Sequence, residues 1–362
     1  MRIKVDLKER SYSIEIESGL LKDAGIMLAP KCRGRAVILT HPILTDYYGD
    51  KLRLSLADQG IDTDIIQVQP GERSKRLQTA ERIYRQLAQG KYDRNTLLIT
   101  LGGGVVGDLG GFVASTYLRG ISFIQIPTTL LAQVDASIGG KVGLDLPDGK
   151  NLVGAFYQPQ MVIIDPSTLK TLPIRHLRSG LAEVIKYGLI LDAELFNSVE
   201  SVLDRLLTKE ADMLSSVICE CCRLKAQLVS EDERDISGSR ARLNFGHTFG
   251  HAVEKALDYR LTLHGEAVAM GMVAAARLGI KLGVTPPTVE EEIRDLLNRA
   301  GLPVRLPKSL TVDAVLDAMR HDKKAETNKL NFVLLERIGA SRLVLDVPEQ
   351  AVRETAKELI EI

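Results

Sequence analysis

Along the first half of the chain, short apolar runs alternate with amphipathic stretches. The runs Lys4–Leu7, Tyr12–Ile16, Ala36–Leu39, Ile65–Val68, Leu97–Thr100, Phe123–Ile126 and Val162–Asp165 read as strands, and Ser74–Gln89 and Val105–Leu118 as helices. Strands that alternate with helices predict a mostly parallel sheet covered by helices. Ligands on such sheets bind at the loops that follow the strands' carboxyl ends. From about Pro173 the period changes. His176–Leu189, Ala193–Leu207, Ala211–Ser230, Arg240–Leu257, Gly265–Leu282 and Pro287–Ala300 all carry helical patterns. Only Leu330–Leu335 and Arg342–Leu345 look extended there. The expected architecture is therefore α/β followed by all-α, a parallel-sheet domain over 1–172 and a helical domain over 173–362, with the boundary at Leu169–Pro173.

Composition narrows the function more than the fold. A length of 362 residues suits two domains, and 45% hydrophobic residues can build real cores. Lys+Arg and Asp+Glu both number 47, so the formal charge is zero, which argues against a nucleic-acid or membrane-surface partner. A local basic pocket for a small anion stays open. No apolar run approaches the ~18 residues of a membrane span, and MRIKVDLKER lacks a signal-peptide core, so a cytoplasmic protein is expected. Cys32, Cys219, Cys221 and Cys222 form no paired thiolate motif and read as reduced thiols.

The segment LNFGHTFGH departs from an ordinary helix face. Arg240, Asn244, His247 and His251 follow one another at spacings of four, three and four, which on one helix is a single stripe. That stripe carries a cation, an amide and two imidazoles where a core helix would carry Leu or Val, with Gly246 and Gly250 beside them. Clustered groups of this kind mark a site rather than a core. Two His at i and i+4 can reach one metal.

Six further stretches carry chemistry. In ITLGGGVVGDLGGF, Gly102, Gly104 and Gly107 meet the G-x-G-x-x-G pattern between a strand and a helix. Glycines there allow positive φ and close approach of backbone amides to a pyrophosphate. The loop follows a late strand, and no acid lies about twenty residues on to hold a ribose, so it is not the usual first-turn site. PTTLLAQVDASIGGK adds Thr128, Thr129, Asp135 and Lys141; DGKNLVGAF adds Lys150 and Asn151; QPGERSK adds Glu72 and Lys75. Read as three loops after strands, they favour phosphate and dinucleotide binding. In the second half, His264 opens HGEAVAMGM, and Glu183 with Lys186 interrupts the apolar SGLAEVIKYGLI. A carboxylate and imidazoles from separate helices suit Zn²⁺ with open positions for substrate oxygens. Glu183 and Lys186 equally suit a buried i, i+3 ion pair. Lys225, Arg240, Lys323 and Lys324 would place cations around a phosphorylated carboxylate.

Together, GGGVVGDLGGFVAS, PTTLLAQVDASIGGK, GKNLVGAFYQP, SGLAEVIKYG, LNFGHTFGHA and HGEAV resemble the 3-dehydroquinate synthase family in order and spacing. The resemblance implies a Rossmann-like first domain, a helical second domain, bound NAD, a divalent metal (zinc or cobalt) and a homodimer. It implies Glu183, His247 and His264 as metal ligands, which moves His251 into the substrate pocket. It places NAD contacts on Glu72, Lys75, Gly104, Val105, Val106, Gly107, Asp108, Thr128, Thr129, Asp135, Lys141, Lys150, Thr168, Leu169, Lys170 and Thr171. It places substrate contacts on Lys141, Asn151, Lys186, Lys225, Arg240, Asn244, His251 and Lys323, with Arg119 reaching the substrate phosphate of the neighbouring subunit. DERDISGSR runs one residue longer than the family's usual segment, and His41 and Pro42 stand where it has a polar pattern near the adenosine ribose.

The resemblance further implies a phosphate lyase acting on 3-deoxy-D-arabino-heptulosonate 7-phosphate, with NAD oxidising and then re-reducing C5 around an elimination and an intramolecular aldol closure. A metal-dependent polyol dehydrogenase and a different sugar-phosphate cyclase are the alternatives. A polyol dehydrogenase needs no clamp for a phosphate and a carboxylate.

Overall fold

The computed structural model describes residues 1–236, 238–257, 261–320 and 330–360. Lys323 and Lys324 lie outside the described residues. Internal contacts divide the chain into two units, residues 1–172 with 214–234, and residues 173–213 with 235–362. Thus 214–234, expected in the second domain, belongs with the first unit.

In the first unit, β1 (Arg2–Val5) and β2 (Tyr12–Ile16) form an antiparallel pair. Then come α1 (Ala24–Leu28), β3 (Ala36–Thr40), α2 (Pro42–Leu44), α3 (Asp50–Ala57), β4 (Thr63–Gln67), α4 (Leu77–Gln89), β5 (Leu97–Gly102), α5 (Gly104–Thr116) and β6 (Ser122–Pro127). A hairpin of β7 (Lys141–Leu146) and β8 (Gly149–Phe156) precedes β9 (Met161–Ile164). The main sheet has the order β1-β2-β9-β6-β5-β3-β4, and every pair except β1–β2 is parallel.

Its central strands are buried at nearly every position because both faces are covered. Val37, Leu39 and Leu98 join one buried cluster, while Ala36, Ile38, Leu97 and Ile99 join the other. The chain leaves β3 for β4 on one side and returns to β5 on the other. The carboxyl ends of β3 and β5 therefore flank a topological switch point, where open α/β sheets bind ligands. This explains a glycine loop after a late strand, since β1 and β2 only extend the sheet's far edge.

The hairpin β7–β8 replaces the expected loop at Lys150 and Asn151. Leu146 pairs with Gly149 across Pro147–Asp148, and Leu144 pairs with Val153. Helix α5 is held tightly on two sides. A Cβ at Gly110 would come 2.2 Å from Thr100 Cγ2, and one at Gly111 would come 2.3 Å from Val142 Cγ1.

The second unit is mainly helical, with α6 (Ile174–Leu191), α7 (Ala193–Leu207), the start of α8 (Ala211–Glu231), α9 (His247–Ala256), α10 (His264–Lys281), α11 (Pro287–Arg299), α12 (Val312–Arg320) and α13 (Glu349–Leu359). A small hairpin of β10 (Phe332–Arg337) and β11 (Ala340–Val344) completes it. No helix among the described residues is long and apolar enough to cross a membrane. Two glycines set the helix approach. A Cβ at Gly265 would sit 1.9 Å from the Ser179 carbonyl oxygen on α6, and one at Gly271 would sit 1.9 Å from the Gly246 carbonyl oxygen.

An ion network ties α10, α11 and α13. Buried Glu290 accepts from Arg277 at 2.5 and 2.8 Å and from Arg294 at 2.7 Å, and Arg277 and Lys281 also reach Glu358. Burial pushes the Glu290 carboxyl up, but Arg277 and Arg294 outweigh it and hold it below the usual range. A group depressed on folding stabilises above its unfolded pKa of about 4.3 and loses that contribution as pH falls through the folded value. Glu290→Gln should therefore cost about 1–3 kcal/mol at pH 7. The gap to the wild type should narrow toward pH 4, as read by urea unfolding at both pH values.

Candidate functional site

The first unit's candidate residues gather at the carboxyl end of the sheet. Gly103 caps α5 with φ −76° and ψ −175°, and Gly102, Gly104 and Gly107 also lack positive φ. The expected positive φ is thus absent, and close packing explains these glycines. A Cβ at Gly102 would meet Val106 at 2.8 Å, at Gly107 the Gln125 Oε1 at 2.7 Å, and at Gly103 the Thr129 Cγ2 at 3.1 Å. The helix therefore starts flush against β6. The Val106 and Gly107 amides turn back to the Gly103 carbonyl at 3.0 and 3.1 Å, and the first amides of α5, at Gly104 and Val105, stay available to an outside acceptor. Thr128 is buried, its amide bonding the Gly102 carbonyl, while Thr129 Oγ1 caps the Ala132 amide.

Beside that loop lies a charge cluster centred on buried Lys75. Lys75 donates to Asp108 at 2.5 Å and to Asn151 Oδ1, and Glu72 lies 4.0 Å from it. Burial opposes its charge, but Asp108 first and Glu72 next hold the ammonium above its ordinary pKa. Burial raises the Asp108 and Glu72 carboxyls despite the lysines nearby. Asp145, which the sequence reading missed, joins this group. Its amide bonds the Lys75 carbonyl at 2.7 Å, and its carboxylate accepts the Asn151 amide at 2.8 Å. Asn151 is held at φ 54°, a strained conformation of the kind concentrated at functional sites. Lys150 follows the hairpin turn half-buried, and Lys141 is exposed on β7 opposite Phe156.

Lys225 is buried and donates to Asp135 Oδ1 at 2.6 Å and to its carbonyl at 2.5 Å, so α8 is fastened to the turn after β6. Buried Cys222 on the same helix donates to the Gln133 carbonyl. Thr168–Thr171 form a 3-10 turn after β9. Leu169 is core, Lys170 is exposed, and Thr168 Oγ1 is engaged by Asp165 and Gln133. Tyr48 bonds Thr168 O and Thr171 Oγ1. His41 is held by the Val68 carbonyl at 3.0 Å, and burial lowers its pKa. Arg119 is exposed at the far end of α5, where Leu118, Arg119 and Gly120 have φ of 50°, 67° and 121°. Thirteen helical residues put it roughly 20 Å from the glycine loop.

In the second unit the expected single stripe is broken. Arg240 and Asn244 lie on a 3-10 turn, Ser239–Asn244, and Gly246 at φ 77° turns the chain before α9 begins at His247. A Cβ at Gly246 would meet the Met272 nitrogen at 2.8 Å, so both the bend and the close packing require glycine there. Only His247 and His251 share a face of α9. Arg240 is buried, Asn244 half-buried and His251 exposed.

Glu183, His247 and His264, from α6, α9 and α10, converge with their donor atoms within 4.8 Å of one another. Glu183 is fully buried, and its Oε1 lies 3.6 Å from His247 Nε2 and 3.4 Å from His264 Nε2 while accepting no hydrogen bond. Ligands at zinc's usual ~2.0–2.1 Å would stand roughly 3.3–3.5 Å apart around a tetrahedral ion. The donor set fits such an ion. Lys186, also buried, ion-pairs with the other Glu183 oxygen, so the i, i+3 pair and the cluster coexist. Despite burial, Lys186 and the imidazoles hold the Glu183 carboxyl well below its ordinary pKa. Burial and then Lys186 push His247 well down, leaving a neutral imidazole. His264, between Glu183 and Glu254, is held up to about 10 against its burial. A divalent cation would supply the charge that this proton otherwise provides.

Residues 65–179 match the family model described as 3-dehydroquinate synthase N-terminal, and residues 180–325 the one described as 3-dehydroquinate synthase C-terminal. The chain is 44% identical over 364 residues to the 3-dehydroquinate synthase of Synechococcus sp. (strain ATCC 27144 / PCC 6301 / SAUG 1402/1), covering 99% of each chain. It superposes with TM-score 0.90 on a 2-deoxy-scyllo-inosose synthase complexed with carbaglucose-6-phosphate, NAD+ and Co2+, at 25% identity over 99% of this chain and 100% of that one. The 2-epi-5-epi-valiolone synthase ValA of Streptomyces hygroscopicus subsp. jinggangensis 5008, with NAD+ and Zn2+ bound, gives TM-score 0.90 at 28% identity over 98% of each chain.

Proposed function

The chain belongs to the 3-dehydroquinate synthase family, and from that premise we propose that it converts 3-deoxy-D-arabino-heptulosonate 7-phosphate to 3-dehydroquinate and phosphate. The observation that carries this reading is the gathering of Glu183, His247 and His264 at the spacing of a tetrahedral ion in a chain of that family. The loops at the carboxyl end of the first unit's sheet would hold NAD, which would supply reversible hydride chemistry at the substrate's C5, and Glu183, His247 and His264 would hold a zinc or cobalt ion, which would supply polarisation of a substrate oxygen.

The chain's own residues bind and orient. The first amides of α5, with Thr128 and Thr129, would face the dinucleotide's pyrophosphate. Glu72, Lys75 and Asp108 would fix its position alongside Asp135, Lys141, Lys150 and Thr168–Thr171. Leu169 and Thr168 serve through backbone placement, since their side chains are buried or engaged. Lys186 keeps a positive charge beside Glu183, where oxygen charge develops. Asn151, Lys225, Arg240, Asn244, His251 and Lys323 would hold the substrate's carboxylate and phosphate. With C5 at the ketone level, the C6 proton passes to a base such as a substrate phosphate oxygen, the C7–O bond breaks as the C6–C7 double bond forms, and, with C5 back at the alcohol level, the enol pyranose opens and closes by aldol addition.

The working protein on this reading is a cytoplasmic homodimer with Arg119 reaching the partner's substrate phosphate. The exposed, strained Arg119, remote from its own glycine loop, supports that role. The test is phosphate release from the heptulosonate phosphate with NAD and zinc, before and after EDTA, while NADH absorbance is followed. Metal-dependent release without NADH accumulation is expected. NADH accumulation without phosphate release would instead mark a dehydrogenase.

A further inference from the structure

His264 lies between two carboxylates. Its Nε2 is 3.4 Å from Glu183 Oε1, and its Nδ1 is 3.3 Å from Glu254 Oε2. Glu254 is 4% exposed and sits on α9 with His247 and His251 at i, i+4 and i+7, so one helix face carries all three. Resting on the metal reading above, we propose that Glu254 is a positioning residue that fixes the ring orientation and tautomer of His264, so that Nε2 presents its lone pair to the ion.

The chemistry follows from counting protons. A neutral imidazole has one N–H, and an ionised carboxylate can only accept. When Nδ1–H donates to Glu254, the Nε2 lone pair must face Glu183 Oε1. Two lone pairs at 3.4 Å repel unless a proton or a metal cation stands between them, and the metal takes the proton's place when it binds. His247 is held the same way by a different acceptor. Its Nδ1 lies 3.1 Å from the Phe245 carbonyl oxygen, and its Nε2 also points to Glu183 Oε1. Backbone thus orients one imidazole and Glu254 the other. His264 needs such a partner more, because its side chain is 31% exposed against 14% for His247 and has room to turn over. Partners of this kind, behind a metal-binding His, typically matter 10–100-fold in affinity.

A competing role exists, because donor atoms of His251, Glu254 and His264 also lie within 4.8 Å of one another. Glu254 could then ligate a second ion. The experiment strips the full-length protein with chelator and titrates Zn²⁺ against a chromophoric competitor, then saturates with Co²⁺ and records stoichiometry and the visible spectrum. E254A should bind zinc roughly 10–100-fold more weakly, with one Co²⁺ per chain and an unchanged spectrum at saturation. E254Q, which keeps an acceptor but loses the charge, should show a smaller but clear loss. Wild-type zinc affinity in E254A overturns the proposal, as does wild-type affinity in E254Q should E254A fail to fold. Two Co²⁺ in the wild type and one in the variant would also overturn it, by making Glu254 a ligand. H264A separates the two readings, since wild-type zinc binding in H264A would remove the metal site itself.

Discussion

His264→Ala is expected to abolish turnover by on the order of a thousandfold or more while leaving the fold intact. Polarisation by a metal supplies several kcal/mol of transition-state stabilisation, and each ~1.4 kcal/mol is tenfold in rate. The ring is 31% exposed and opens α10 without filling the core, so its removal leaves little cavity, and the loss of a partner for buried Glu254 should lower the melting temperature only modestly. Glu183→Ala should abolish turnover equally but also lower the melting temperature. It strands the buried Lys186 ammonium, and breaking such a pair costs about 3–5 kcal/mol. Zinc content, turnover and thermal unfolding of both variants check this. Stoichiometric zinc with full activity in either variant would refute the ligand assignment.

Arg119→Ala is the second large effect. Alone it should lose most activity, because the substrate phosphate would lack its cationic partner. Unfolded and refolded together with Lys186→Ala, it should recover. On the proposed homodimer with a shared site, random re-pairing makes half the dimers mixed, each with one site that keeps both residues, so about a quarter of wild-type activity is expected. Failure to recover, with mixed dimers verified by mass, would place Arg119 outside a shared site. The local backbone gives a reason to expect specificity. Leu118 and Arg119 are both held in the left-handed region, which costs on the order of 1–3 kcal/mol per residue. Lysine at 119 should therefore rescue poorly, lacking the guanidinium's planar fork.

The central strands were readable because their burial on both faces makes them continuous apolar runs, as in Leu97–Thr100 within β5. The β7–β8 hairpin was not recognised, although Pro-Asp-Gly between GLDL and NLVG is a turn signal. Its glycines and charges disguised the alternation, and motif-like residues drew attention to chemistry instead. The stripe from Arg240 to His251 misled through periodicity alone. Spacing assumed one helix, whereas packing against Met272 demands a turn at Gly246. Glu183, His247 and His264 were legible from the residues as donor types, and as one set only through the family resemblance, since Gly265 and Gly271 set the helix approach only in three dimensions. Asp145 and Glu254 were missed because each acts on another residue: Asp145 holds the Asn151 backbone, and Glu254 faces His264.

Helix α8 gives the chain an order of assembly. Residues 214–234 belong with residues 1–172, yet forty-one residues of the other unit, 173–213, intervene. Lys225 and Cys222 are already committed to Asp135 and Gln133. A ribosome that has made only the first 172 residues has therefore made the first unit without its last helix. The α8 seat is expected to stay uncovered on the nascent chain until residue 234 has cleared the exit tunnel. A gene fragment cut at the apparent boundary should behave the same way, remaining dependent on chaperones unless the excised helix is added back as a peptide.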